Sequence, residues 1–165
     1  MAESDTKDTI IRKAEVRDMV QVFQMIKELA EYEKVHKLRI DQKTLEKDYA
    51  ENSPAFQCLV AETSDGQLIG YAVYSDMYST WDGKSVYLEG LYVKPDYRGG
   101  TIEKNLFLTV LKNGHASGCK RSFFHVLNWN PMIKVYQELG ATNVTQMDMF
   151  NVFRMETEAL DKLFA

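Results

Sequence analysis

The sequence predicts an α/β fold with a mixed central sheet and helices on both faces. Three observations predict it. Strand-like and helix-like segments alternate along the chain. A segment with helical spacing, Ile102 to Ser117, joins two strand-like runs, Ser85 to Val93 and Arg121 to Leu127. Such a unit is expected to be a right-handed parallel crossover. The 165 residues are 45% hydrophobic and 12% aromatic, enough to bury one core without a disulfide or metal staple.

The elements follow in order. Residues 1–8 are polar and read as a disordered lead, leaving 9–165 as a single domain. Ile10 to Ala14 is a short strand. Asp18 is placed to cap the helix after it, where Met19, Val22, Met25, Ile26, Leu29 and Ala30 recur at helical spacing. Asp41 to Glu51 is a second helix, stopped by Asn52-Ser53-Pro54. Phe56 to Glu62 and Leu68 to Tyr78 are strands around the turn Ser64-Asp65-Gly66. A loop leads into the strand Ser85 to Val93. The crossover helix carries Leu106, Phe107, Val110 and Leu111 on one face and ends at Gly118. After Arg121 to Leu127, Met132 to Leu139 is a short helix stopped by Gly140. Asn143 to Met147 and Phe150 to Met155 are expected to pair as strands before a short tail.

Composition excludes several classes. Twenty Lys+Arg against 24 Asp+Glu give a net charge of -4, which disfavours nucleic acid as a partner. No segment approaches the ~20 apolar residues of a membrane span, and the N-terminus lacks the apolar stretch of a signal peptide. The expected location is the cytoplasm. Cys58 and Cys119 read as buried thiols, not as a disulfide framework or a metal site. His36, His115 and His125 form no visible cluster, so structural or surface roles are expected for them.

Three segments carry chemistry. Tyr87-Leu88-Glu89-Gly90-Leu91-Tyr92-Val93 runs into a loop, Arg98-Gly99-Gly100, and then a helix. The amides of such a loop and helix start suit phosphate oxygens. Trp129-Asn130 is followed by Tyr136 and Leu139-Gly140-Ala141. Ile26-Lys27-Glu28-Leu29-Ala30-Glu31-Tyr32-Glu33 places acids and an aromatic on the first helix. Glu89 sits within an apolar strand, where a buried carboxylate is costly without a partner or a purpose.

Together these segments resemble the GNAT superfamily of N-acetyltransferases, and within it the diamine (spermidine/spermine) and thialysine group. The resemblance covers Ile10 to about Leu163. It implies the acyl-CoA N-acyltransferase fold, in which the strand bearing Glu89 and the next parallel strand splay apart to admit acetyl-CoA. It implies cofactor contacts from Leu91, Tyr92 and Val93, and a pyrophosphate site at Arg98, Gly99, Gly100, Thr101, Ile102 and Lys104, with Asn130 also on the cofactor. It implies Tyr136 as the acid for the thiolate and Glu89 as the base for the ammonium. Glu28, Tyr32, Glu33, Trp81 and Trp129 would line the acceptor pocket. No metal is implied. A homodimer is, with Asp148 to Arg154 as the contributing segment. Each residue also has a plainer reading: Glu89 at a sheet edge or in solvent, Tyr136 as packing, Glu28 and Glu33 as solvated helix charges, Trp81 as a loop anchor.

The chain departs from the family pattern at named places. The family loop reads Arg-Gly-x-Gly-x-Gly/Ala; here Thr101 and Glu103 stand at the second and third small positions. Thr101 would crowd a backbone needing positive φ, and Glu103 would repel phosphate. As a helix start the same residues are favourable, Thr101 as the cap and Glu103 as a first-turn acid. Asn130 and Tyr136 are six residues apart instead of seven. Ser79 and Gly90 stand where polyamine-acting relatives carry acids, which points to a shorter or less charged acceptor. The expected function is acetyl-CoA-dependent acetylation of a small primary amine, a thialysine-like amino acid or a diamine. The alternative is a dimeric binding or regulatory protein on the same fold with impaired cofactor binding.

Overall fold

Two antiparallel hairpin steps build most of the sheet. The computed structural model describes residues 9–35, 37–99, 101–145 and 154–164. Strands β1 (Ile10–Lys13), β2 (Gln57–Glu62), β3 (Leu68–Ser79), β4 (Gly83–Val93) and β5 (Arg121–Phe124) lie side by side in that order. The first four pair antiparallel, and β5 pairs parallel to β4. The sheet is therefore mixed, as the crossover from β4 through helix α3 (Ile102–Ala116) requires. The chain divides into two compact units, Met1–Val126 and Leu127–Ala165. The five strands, α1 (Met19–Tyr32), α2 (Gln42–Ala50) and α3 belong to the first.

Side-chain alternation assigns the two faces. Cys58 and Val60 of β2, Tyr71 of β3 and Tyr92 of β4 pack with Met19, Val22, Met25, Leu45 and Tyr49 of α1 and α2. Each fully buried Val or Met of this layer contributes roughly 1.5–3 kcal/mol through removal of apolar surface from water. The opposite face receives α3. A Cβ on Gly114 would come within 2.8 Å of Val86, and a Cβ on Gly70 within 3.3 Å of Leu106. Helix and sheet approach so closely there that only hydrogen fits. Phe107 meets Phe124 edge to face at 5.3 Å. Both cysteines are buried, and burial pushes the Cys58 thiol up to about 12.

Local chemistry sets the ends of the elements. Asp41 caps α2 by accepting from the Thr44 N–H at 2.8 Å. Asp18 stands at the start of α1 but makes no side-chain cap, contrary to expectation. Its buried carboxylate instead accepts from Arg12 at 2.6 Å and from the Glu15 N–H at 2.7 Å. Arg12 also pairs with Glu62 at 2.5 Å, so one guanidinium joins β1, β2 and the entry to α1. Lys34 takes φ 58 and lets Val35 N–H reach Ala30 O at 2.8 Å, which closes α1. Gly118, at φ 89, ends α3.

The second unit contains α4 (Ile133–Glu138) and α5 (Thr157–Phe164). The expected C-terminal tail is therefore partly helical. Residues 143–145 and 154–155 form no strand, and the rest of the expected strand pair lies outside the described residues. So do the 1–8 lead, His36, Gly100 and most of Asp148 to Arg154.

The Arg12–Asp18 pair yields a stability prediction. Burial alone would raise the Asp18 carboxyl, but hydrogen bonds from Arg12 and the Glu15 amide hold it below the usual range. The stabilisation is thus present above the unfolded carboxyl pKa and is lost as pH falls through the lower folded value. Asp18→Asn is expected to cost about 2 kcal/mol at pH 7, because it removes the charged partner of a part-buried guanidinium. In urea titrations the gap between variant and parent narrows as pH drops below 4; a gap independent of pH would contradict this assignment.

Candidate active site

The site begins with an irregularity in β4. Pairing with β3 runs Val73↔Gly90 and then Tyr74↔Leu88, so Glu89 is the extra residue of a β-bulge. Pairing with β5 stops nearby: Leu88↔Phe124 is the last pair, while β4 continues to Val93. The sequence predicts β5 to run to Leu127; it ends at Phe124, because β4 stops offering a regular edge at the bulge. Beyond Leu88 and Phe124 the two strands no longer pair.

The bulge also changes what faces where. Strict alternation would put Glu89 and Tyr92 on opposite faces. With one residue inserted, Tyr87, Glu89 and Gly90 all line a cavity on the α1/α2 side, and Tyr92 packs into that same layer. The cavity measures about 500 Å³. Its walls are largely apolar, with carboxylates from Glu33, Asp48 and Glu89 and phenols from Tyr71, Tyr74 and Tyr87. Glu89 is exposed rather than buried as the sequence suggested, because the bulge turns it out of the packed strand. Glu33 caps the C-terminal end of α1, and burial raises its carboxyl above the usual range. A helix C-terminus and three carboxylates favour a cation in this space.

Tyr87 connects the cavity to the end of β5. Burial pushes its phenol up to about 12, helped by the nearby Glu89 carboxylate. The same hydroxyl lies 3.0 Å from His125 Nδ1.

A second cluster forms around Arg98. Its Nε donates to Val93 O at 2.8 Å, and its guanidinium lies 4.7 Å from the Tyr32 ring and 5.1 Å from the Tyr92 ring. Tyr92 in turn donates to Glu28 at 2.9 Å. Glu28 and Tyr32, expected in the acceptor pocket, therefore brace Arg98 and β4, and neither lines the cavity. Trp81 does not line it either; it stands 82% exposed in the β3–β4 turn. Ser79 serves the same turn, accepting from the Trp81 and Asp82 amides. Of the acceptor residues assigned to α1, only Glu33 reaches the cavity.

The loop before α3 resolves the question raised by Thr101. The positive φ falls on Gly99, at 79°, while Thr101 has φ -89. The β-branched residue is unstrained. It makes no side-chain cap, however, so that part of the favourable helix-start reading is not realised. The first helical bond runs from Asn105 N–H to Thr101 O at 2.8 Å, which leaves the Ile102, Glu103 and Lys104 amides ahead of the ladder. Glu103 is half-buried in the first turn; burial raises its carboxyl, and Arg98 partly offsets that.

In the second unit the six-residue spacing has a local cause. Asn130 Oδ1 accepts from the Met132 N–H at 2.9 Å, and the Ile133 N–H reaches Asn130 O at 3.2 Å. This side-chain turn leads tightly into α4, within the six-residue spacing. Tyr136 lies in α4 and is buried; Trp129 is half-exposed.

Sequence reasoning missed Asp48 and His125. Asp48 looked like one more polar residue of an amphipathic helix. For His125 a signal existed: Tyr87 and Glu89 are two apart on one strand, and β5 runs parallel beside them.

The comparisons agree with this geometry. Residues 20–141 match the acetyltransferase (GNAT) family. A thialysine N-epsilon-acetyltransferase of Mus musculus is 39% identical, covering 94% of this chain and 96% of that protein. The Sus scrofa protein of that name is 37% identical over 93% and 96%. A spermidine/spermine N(1)-acetyltransferase-like protein of Homo sapiens is 31% identical over 91% of this chain and 23% of its own length. Among solved structures, an integron cassette protein of V. cholerae superposes with a TM-score of 0.73 at 19% identity, covering 95% and 98%. An aminoglycoside acetyltransferase from a soil metagenome gives 0.70 at 17%, covering 89% and 97%. With a five-stranded sheet that opens beside Glu89 and a family match across most of its length, the chain belongs to the GNAT family of N-acetyltransferases.

Proposed function

We propose that the protein transfers the acetyl group of acetyl-CoA to a small primary amine, a thialysine-like amino acid or a diamine, by direct attack of the amine. The observation that carries this reading is the cavity that the β4 bulge opens to Glu89, with Glu33 and Asp48 as further carboxylates. The names of the similar mammalian proteins support the acceptor class. Gly90 adds no acid to the cavity wall, which favours a short acceptor. We further take 9–165 as one catalytic domain, acting in the cytoplasm as a homodimer without nucleic acid or membrane; among the described residues no helix is long and apolar enough to cross one.

The chain's own residues divide the work. Glu33 and Asp48 attract and hold the ammonium. Glu89 accepts its proton, directly or through water, and so makes the nitrogen nucleophilic. Trp129 belongs to the acceptor side in this reading. Tyr136 is the acid, giving its Oη proton to the departing sulfur.

The residues present fit acetyl-CoA on two structural grounds: β4 from Glu89 to Val93 has no β5 neighbour, and the start of α3 offers amides ahead of its ladder. Acetyl-CoA supplies the activated thioester. Leu91, Tyr92 and Val93 offer backbone groups to it. Gly99, Gly100, Thr101, Ile102 and Lys104 take the pyrophosphate, with Arg98 beside them and Asn130 as a further contact. Arg98 keeps Val93 in place while presenting its charge to that loop.

Two experiments test the assignment. Glu89→Gln is expected to lower kcat/KM about a hundredfold at pH 7, with part of the loss returning near pH 10, where free amine is abundant. Equal rates in variant and parent across the range would remove Glu89 from the mechanism. Glu103→Gln removes a half-buried negative charge from the phosphate site and is expected to tighten coenzyme A by about fivefold in calorimetric titration, equivalent to about 1 kcal/mol. Weaker binding by the variant would place the pyrophosphate elsewhere.

A further inference from the structure

The hydrogen-bond chain at the end of β5 extends the site beyond Glu89. Leu88↔Phe124 is the last parallel pair, so the next residues in register are Glu89 and His125. Tyr87 shares the cavity wall with Glu89, two residues away on the same strand. Its hydroxyl meets His125 Nδ1 at 3.0 Å, and the nearby Glu89 charge helps raise its pKa. The two rings meet edge on, with centroids 5.8 Å apart and planes at 70°. His125 is exposed to solvent. One phenol thus stands between a carboxylate that shares its cavity wall and an imidazole exposed to solvent.

We propose that Tyr87 and His125 form a proton exit that returns Glu89 to its carboxylate form after each turnover. This rests on the reading of Glu89 as the base. A proton taken from the ammonium makes Glu89 a neutral acid. Its O–H bond breaks as a proton passes, directly or through one water, to form a new O–H bond on Tyr87 Oη. The original Tyr87 O–H bond breaks in the same step, and an N–H bond forms at His125 Nδ1, which accepts while the neutral ring carries its proton on Nε2. The products are the Glu89 carboxylate, the Tyr87 phenol and an imidazolium. The imidazolium then gives its Nε2 proton to water, and exchange with water moves the remaining Nδ1 proton to Nε2, which restores the accepting tautomer before the next turnover. No electrons are gained or lost, and one proton leaves for each proton that enters. Tyr87 remains neutral throughout, consistent with its high pKa. Histidine suits the outer position because imidazole is the side chain that exchanges protons with water near neutral pH. In this scheme His125 is a positioning and relay residue acting through Tyr87, and the acceptor amine never touches it.

The test compares His125→Ala, His125→Gln and Tyr87→Phe in the full-length protein, with thialysine and acetyl-CoA. His125→Gln can still hydrogen-bond Tyr87 but cannot cycle a proton. All three are expected to lose about tenfold in kcat, a part of the usual general acid–base contribution, with KM for thialysine within twofold of the parent. Added imidazole is expected to restore most of the His125→Ala loss and none of the Tyr87→Phe loss. Ring 15N shifts of His125 in the protein without substrate are expected to change in Tyr87→Phe and in Glu89→Gln. Parent-like kcat in His125→Gln, failure of imidazole rescue, or His125 shifts indifferent to Tyr87→Phe would each overturn the relay. Should Glu89→Gln be impaired while the His125 variants are not, the relay fails and the base survives. Should Glu89→Gln itself be fully active, the reading beneath it fails.

Discussion

The site depends on one inserted residue. Glu89 is the bulge between the Val73↔Gly90 and Tyr74↔Leu88 pairs, and β5 leaves β4 at the same level. A regular strand would have kept its alternation and hidden either Glu89 or Tyr92 from the α1/α2 face. The bulge spares the fold that choice. Val86 still packs tightly on Gly114 of α3, Tyr92 still packs into the α1/α2 layer, and Glu89 emerges into the cavity between these anchors. The same interruption leaves the backbone from Glu89 to Val93 without a β5 neighbour. In the proposed function, acceptor chemistry and cofactor recognition thus share one cause.

Two arginines tie the sheet to α1 at different places. Arg12 ties β1, β2 and the entry to α1 through Asp18 and Glu62. Arg98 ties the end of β4 to α1 through the Val93 carbonyl and the rings of Tyr32 and Tyr92, with Glu28 holding the Tyr92 hydroxyl. The acidic face of α1 therefore has two tasks. Glu28 and Tyr32 hold β4 through its aromatic neighbour, and Glu33, at the helix end, looks into the cavity. A lysine at position 98 would keep the charge but lose the planar stacking between two rings.

Much of this was legible in the chain. The α/β class, the order of the described strands and the parallel crossover all follow from hydrophobic periodicity and turn residues, because burial dictates both. The motif around Glu89 pointed to the strand that lines the cavity. What periodicity cannot carry is register. A bulge leaves no mark in the pattern, so Glu89 read as a buried acid and β5 read as three residues too long. Helix-face arithmetic likewise could not separate Glu28 from Glu33, since their fates differ through Arg98, which is distant in sequence. Asp48 and His125 were missed for the same reason: each gains its meaning only from a residue on another element. Thr101 shows the reverse case, a substitution that looked strained until Gly99 proved to carry the positive φ.

The central claim is that this cavity receives a short amine and presents it to Glu89. Turnover of thialysine, lysine, putrescine and spermidine, measured side by side with acetyl-CoA as donor, tests it most directly. The account predicts that thialysine or the small diamine is acetylated with the highest kcat/KM, and that spermidine lags well behind. A clear preference for spermidine, or no turnover of any of the four, would contradict it.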